Sequence, residues 1–189
     1  MTNSDPETAT EIELLEKAQD GSDKAMHQLI QSYEGPLFGF LLNRLRNPSD
    51  AEDCAQDVFL KMIAALPKYE NRGQFRAWLY TIARNESLNF LKKRGKREET
   101  ISREPVSSDQ TDLATGSITL DQKERILAIR ECVEDLPEKE NDVLQLRLSD
   151  DITFREISEV LGRPLNTVLG QMRKASARLE LCLQGKGIN

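Results

Sequence analysis

A chain of 189 residues with 38% hydrophobic residues, 31% charged residues and only seven prolines holds one ordinary domain or two small ones, which excludes a large multi-domain enzyme and a wholly disordered chain. No apolar run approaches the roughly 18 residues of a membrane span, and Met1 to Thr10 is polar where a signal peptide would be basic and then apolar, so the expected setting is cytoplasmic, without membrane insertion. The formal charge of −6 is segmented, with −8 over residues 1–60, +8 over 61–97, −9 over 98–151 and +3 over 152–189; a local positive field attracts phosphate whatever the total, so two polyanion-facing surfaces are expected.

The chain reads as helical throughout. A short amphipathic stretch, Glu11 to Asp20, ends at Gly21. Ser22 then introduces a longer helix to about Asn47, in which Ala25, Leu29, Ile30, Tyr33, Leu37, Phe40, Leu41 and Leu45 recur at spacings of three and four. Gly35-Pro36 is expected to kink it. Asn47-Pro48 stops it, and Ser49-Asp50-Ala51-Glu52 has the pattern of a capping box, so the next helix is expected to start at Ser49. Its apolar face is Ala51, Cys54, Ala55, Val58, Phe59, Met62 and Leu66, leaving Asp50, Asp53, Gln56, Asp57 and Lys61 on the other side. A polar loop, Lys68 to Gln74, leads into a helix from Phe75 to about Lys93 with arginines between its apolar residues.

From Arg97 to about Thr119 the periodicity gives way to Ser, Thr, Asp, Glu, Pro and Gly, a linker too long for a connection inside one compact domain. The expected organisation is therefore all-α, with two small helical domains at 1–97 and 120–189 joined by a flexible acidic linker at 98–119. In the second domain, helices are expected from Leu120 to Leu136, with Ile126, Ile129, Val133 and Leu136 on one face, and from Pro137 to about Ser149. A capping box at Thr153-Phe154-Arg155-Glu156 opens a short helix ending at Gly162, and a last helix runs from Leu165 to about Leu183.

Cys54, Cys132 and Cys182 stand at wide spacing beside a single histidine, His27. That is neither a disulfide framework nor a metal-ligand pattern, so ordinary buried or surface thiols are expected, no metal or cofactor is implied, and no sensor is assigned. Enzymatic readings such as a nuclease lack support: carboxylates are sparse in the basic segment, and there is neither a Gly-rich phosphate loop nor a paired-carboxylate constellation.

Two patterns point to nucleic acid. Ser158, Gly162 and Val168 have the layout of a helix-turn-helix: a small residue where two helices approach, a glycine for the positive φ of the turn, and an aliphatic plug. Arg173, Lys174 and Arg178 supply cations for the groove walls. The basic segment mixes aromatic rings with cations and amides, the combination that single-stranded nucleic acid requires. Phe75, Trp78 and Ile82 read as core, whereas Tyr69, Asn71, Tyr80 and Asn85 are the better candidates for base contact because nothing in the apolar stripe requires them. A stand-alone helix-turn-helix regulator would account for the first pattern and leave the second unexplained.

Asp50 to Phe59 (DAEDCAQDVF), Phe75 to Asn85 (FRAWLYTIARN), and Leu136-Pro137 followed by the helix-turn-helix resemble the extracytoplasmic-function group of the sigma-70 family of bacterial sigma factors. The resemblance spans roughly residues 20–97 and 125–182. It implies a factor without catalysis of its own that binds core RNA polymerase and directs promoter recognition and melting. Asp50, Asp53, Gln56 and Asp57 match the helix that docks on the clamp helices of the largest polymerase subunit, and the flap region is a further expected contact. The loop with Tyr69 and Asn71 matches the one that captures a flipped minus-ten base. Arg76, Tyr80, Arg84, Asn85, Asn89, Lys92 and Lys93 lie on the helix and basic run that meet the melting strand. Asn166, Thr167, Gln171, Arg173, Lys174 and Arg178 lie on the minus-thirty-five reader. The acidic linker resembles the segment that threads the polymerase active-site channel, and the resemblance also implies an anti-sigma partner for many members. One departure stands out: Leu169, Gly170 and Gln171 occupy positions where the family commonly has a basic residue, a serine and an arginine, which predicts weaker minus-thirty-five binding.

Overall fold

The computed structural model describes residues 6–71, 73–100, 120–149 and 152–188. Among these, the regular structure is helical: α1 (Pro6–Gln19), α2 (Asp23–Leu45), α3 (Pro48–Ala65), α4 (Phe75–Thr100), α5 (Leu120–Glu134), α6 (Glu138–Ser149), α7 (Phe154–Leu161) and α8 (Leu165–Gly185), with a 3-10 turn over Leu66–Lys68. The chain divides into two compact units, Met1–Ser108 and Asp109–Asn189. Of the expected linker, residues 101–119 lie outside the described residues, as does Arg72.

In the first unit α2 is the central helix and packs against α1, α3 and α4. Ser22 caps it, its hydroxyl accepting from the Ala25 amide, and Gly21 takes the positive φ (89°) that turns the chain out of α1. The helix is one element across Gly35-Pro36, and Arg46 closes it in the left-handed conformation (φ 58°), donating its N–H to Leu42. Leu37, Phe40, Leu41 and Leu45 are sealed from solvent, as are Val58, Met62, Leu66 and Leu79 of the neighbouring elements. Burial of such side chains, at about 1.5–3 kcal/mol each, is the main force holding the unit.

The cap of α3 differs from the expected Ser49 box. Asn47 is the cap, its Oδ1 accepting from the Asp50 amide at 3.0 Å, and Pro48 takes the first helical turn. Proline is pre-organised for that position and asparagine is among the best caps, so the pair outcompetes the serine two residues on. The other early boundary that moved is the end of α4. It continues past Lys93 to Thr100 because Gly95 alone costs about 1 kcal/mol and the Lys, Arg and Glu around it favour helix.

In the second unit α8 packs against α5, α6 and α7. The expected box at Thr153 is present in both directions, and Gly162 closes α7 at φ 59°. Leu136, Leu144 and Ala175 form a cluster with Val133, Met172 and Leu179 packed on it. Two expectations are corrected here. Ile129 is exposed, and Cys132 instead occupies the buried face of α5. Cys132 also pairs with Cys182 of α8 as a disulfide, with Cα atoms 5.8 Å apart, so these two are not independent thiols. Their separation of 50 residues hides from the sequence what the packing of α5 on α8 brings together.

Candidate functional surfaces

The outer side of α3 is a straight line of side chains. Asp53, Asp57, Leu60 and Ala64 recur at four- and three-residue spacing and are exposed, with Gln56 and Ile63 beside them. Leu60 is 64% exposed and Ile63 39%. The line is acidic at its N-terminal end and apolar at the other, and neither Leu60 nor Ile63 was in the expected site. The signal lay in the sequence: both are apolar at positions where the helical period calls for a polar residue. Asp50 sits differently. It is half-buried and pairs with Arg94 of α4 at 3.4 Å, and the same guanidinium donates to the Leu45 carbonyl at 3.2 Å, so Asp50 ties α3 to α4.

The loop between α3 and α4 is held at its root by α1. Gln19 Nε2 donates to the carbonyls of Leu66 (3.0 Å) and Tyr69 (2.6 Å). The Tyr69 ring lies against Trp78 (centroids 4.6 Å apart) and edge-on to Phe75 (5.7 Å). Phe75 in turn meets Tyr33 at 5.6 Å. Burial raises the phenol pKa of Tyr69, and burial together with its hydrogen bond to Glu11 raises that of Tyr33, so both hydroxyls stay protonated. Asn71 is exposed, and its Oδ1 accepts from the Gly73 amide at 3.0 Å, an Asx turn ordering the loop tip with Gly73 at φ 70°.

The expected α4 residues fall into two groups. Asn85, Asn89, Lys92 and Lys93 share one exposed face. Arg76, Tyr80 and Arg84 follow four-residue spacing on the packed side, where both arginines are half-buried. Tyr80 is a correction: it is sealed from solvent and packs edge-to-face on Phe40 at 5.3 Å, so its ring cannot stack on a base. Tyr80→Ala is expected to destabilise the first unit by about 3–5 kcal/mol, the cost of a large emptied core site. Thermal melting checks this, and a change below about 1 kcal/mol would contradict the core assignment.

On α8, Asn166, Thr167, Arg173 and Lys174 are exposed, and Gly170 lies in the middle of their face. Gln171 is half-buried, and Arg178 is exposed but reaches back to α6. Gln171 Oε1 accepts from Arg163 at 3.1 Å, and Arg178 pairs with the buried Glu140 at 3.0 Å. Arg163, in the turn of the helix-turn-helix, also pairs with the buried Asp142 at 3.0 Å and donates to the Lys139 carbonyl. The acidic side chains of α6 therefore anchor the reading helix and its turn, contacts that sequence reasoning missed. A Cβ added at Gly170 would meet nothing within 4 Å. Gly170→Ala is accordingly expected to stabilise the second unit by about 1 kcal/mol, read as a rise in Tm.

The two units carry two different family signatures. Residues 29–97 match the family described as Sigma-70 region 2, and residues 126–179 match Sigma-70, region 4. The RNA polymerase sigma-H factor of Pseudomonas aeruginosa is 26% identical over 179 residues, covering 91% of this chain and 93% of that protein. The ECF RNA polymerase sigma-E factor of Haemophilus influenzae is 26% identical over 187 residues, covering 94% and 97%. In fold, the chain is similar to CnrH, solved with the cytosolic domain of CnrY (TM-score 0.69, 20% identity, 93% of this chain and 98% of that one covered). It is also similar to the sigma factor RpoE of Bartonella quintana, solved with the anti-sigma factor NepR (TM-score 0.67, 22% identity, 85% and 98% covered). The chain belongs to the extracytoplasmic-function group of sigma-70 RNA polymerase sigma factors. Its function is that of a sigma factor in transcription initiation, and the region 2 match sets it apart from a stand-alone helix-turn-helix regulator. Among the described residues, no helix is long and apolar enough to cross a membrane.

Proposed function

We propose that this sigma factor docks on the clamp helices of core RNA polymerase through the outer line of α3, with Asp53, Gln56 and Asp57 giving orientation and Leu60 and Ile63 adding apolar contact. Charge complementarity sets specificity and encounter rate, and the desolvated apolar end supplies affinity. The exposed face of α4 (Asn85, Asn89, Lys92, Lys93) meets the opened minus-ten strand, while Asn71 and the ring of Tyr69 receive an unpaired base. Binding unpaired bases more tightly than paired ones shifts the duplex toward the open form without ATP, because a ligand moves an equilibrium by its differential affinity. On α8, Asn166, Thr167, Arg173 and Lys174 read the minus-thirty-five element.

The factor acts in the cytoplasm, without catalysis of its own, with the flap region as a further polymerase contact and an anti-sigma protein as a controlling partner. The observation that carries the reading is the coexistence, in one unit, of an exposed acidic-apolar line on α3 with an aromatic loop and a cationic amide-bearing face on α4. Co-elution of the purified chain with core polymerase, followed by transcription from a promoter library, is the test. Failure of the chain to form a complex and to select any promoter would overturn it. The minus-thirty-five contribution is expected to be weak, because Leu169 and Gly170 add no polar side chain to the reading face and Gln171 is engaged by Arg163. Tight, sequence-selective binding of the chain to a minus-thirty-five duplex without polymerase would contradict that.

A further inference from the structure

The Cys132–Cys182 bridge joins the buried face of α5 to the last turns of α8, the helix proposed to read DNA. Beside it, Lys186, one turn beyond Cys182, pairs with Glu131, the neighbour of Cys132. Two cross-links, one covalent and one ionic, thus close the same contact. The ionic one is largely exposed and contributes little by itself. In the reducing cytoplasm that the sigma-factor reading implies, two thiols are the resting state, and an internal disulfide there is typically transient and redox-sensing.

We propose that Cys132 and Cys182 form a reversible dithiol–disulfide site, oxidised by a glutathione-type disulfide, that clamps α5 to α8 and stabilises the helix-turn-helix unit when the thiol pool becomes oxidised. The proposal rests on the cytoplasmic sigma-factor reading. Cys182 is half-buried and Cys132 is 2% exposed, so exchange starts at Cys182. Its thiolate attacks one sulfur of glutathione disulfide, giving a mixed disulfide and one glutathione thiolate. The Cys132 thiolate then attacks the Cys182 sulfur and expels the second glutathione. Two protein thiols lose two protons and two electrons, and one glutathione disulfide becomes two glutathiones.

The geometry suits the step, since Cα atoms 5.8 Å apart lie in the range that a disulfide spans without backbone movement. The closed loop contains α6, α7 and most of α8, and a cross-link across a long loop restricts the unfolded chain strongly. The third cysteine, Cys54, is buried in the other unit, where burial pushes its thiol up to about 11, so it stays out of the exchange.

The test uses the full chain, purified reduced and then incubated with glutathione disulfide. The intact mass is expected to fall by two hydrogens, with Cys132 and Cys182 peptides joined in a non-reducing digest and Cys54 unmodified until the chain unfolds. Melting of the second unit should rise by on the order of 10 °C and return on adding dithiothreitol. Cys182→Ser should abolish both changes. A chain that accumulates only glutathione adducts or intermolecular dimers, or whose oxidised and reduced forms melt together, overturns the proposal. Co-elution of the reduced chain with core polymerase tests the underlying reading separately: an internal bridge without polymerase binding would leave the chemistry standing and refute its cytoplasmic sigma-factor setting.

Discussion

Asp53→Arg combined with Asp57→Arg is expected to abolish co-elution with core RNA polymerase while leaving the fold intact. Both carboxylates are exposed on the outer line of α3, four residues apart, so one basic surface can meet both. Reversal turns each attraction into a like-charge contact, which costs several kcal/mol at an interface. At 1.4 kcal/mol per factor of ten, the pair should weaken binding on the order of a hundred-fold or more. Folding should not change by more than about 0.5 kcal/mol, because neither side chain is committed to a partner inside the unit by burial. Asp50 serves as the contrast. It pairs with Arg94, so Asp50→Arg should lower stability as well as binding, and the two readouts separate a docking residue from a bracing one. Leu60→Ala extends the test to the apolar end of the line and should weaken binding at low and high salt alike, whereas the aspartate contribution should shrink as salt rises. Full binding by the doubly reversed chain would remove α3 as the docking face.

Several local signals were legible in the sequence, although the Ser49 box lost to the neighbouring Asn47-Pro48 pair. Ser22, the Thr153–Glu156 box and Gly162 act within one turn of themselves, and the structure has them as expected. The α4 helix misled for a physical reason. Arg76, Tyr80, Ala83, Ser87 and Arg94 recur at spacings of three, four and seven, and this is the side that packs inward. Because arginines stand at its ends and a hydroxyl-bearing ring in its middle, the stripe reads as surface. Arginine stems can line apolar surface while the guanidinium reaches outward, so the helix accepts cations where a hydropathy pattern demands leucine. The same holds for α6, whose Glu140, Asp142 and Gln145 are buried. The arginine partners of Asp142 and Glu140, Arg163 and Arg178, lie more than 20 residues further along the chain, in the turn and the last helix. Pairings of that range, like Cys132 with Cys182, have no short-range signature. The exposed Leu60 did have one, as an apolar residue out of period.

Asp142→Ala is expected to be the most damaging single change in the second unit, costing about 3–5 kcal/mol, the usual penalty for breaking a buried ion pair from one side. Asp142 is 2% exposed and Arg163 20%, so water screens the pair little. The Arg163 guanidinium also donates to Lys139 O and to Gln171 Oε1, and it occupies the turn that sets α8 relative to α7. Removing the carboxylate leaves a cation held by neutral acceptors alone. Against a total stability of about 5–15 kcal/mol for a domain, that loss unfolds a measurable fraction of the unit. For a unit of this size, it should lower Tm by at least about 12 °C. The loss belongs to the unpaired charge and not to the absence of attraction, so Asp142→Leu combined with Arg163→Met should recover most of the stability, since apolar replacement of a buried pair is often neutral or better. Amide exchange in peptides from residues 152–188 locates the effect, while polymerase docking through α3 should persist because it resides in the other unit. Equal loss in the single and double variants would mean that shape, not charge pairing, holds the turn.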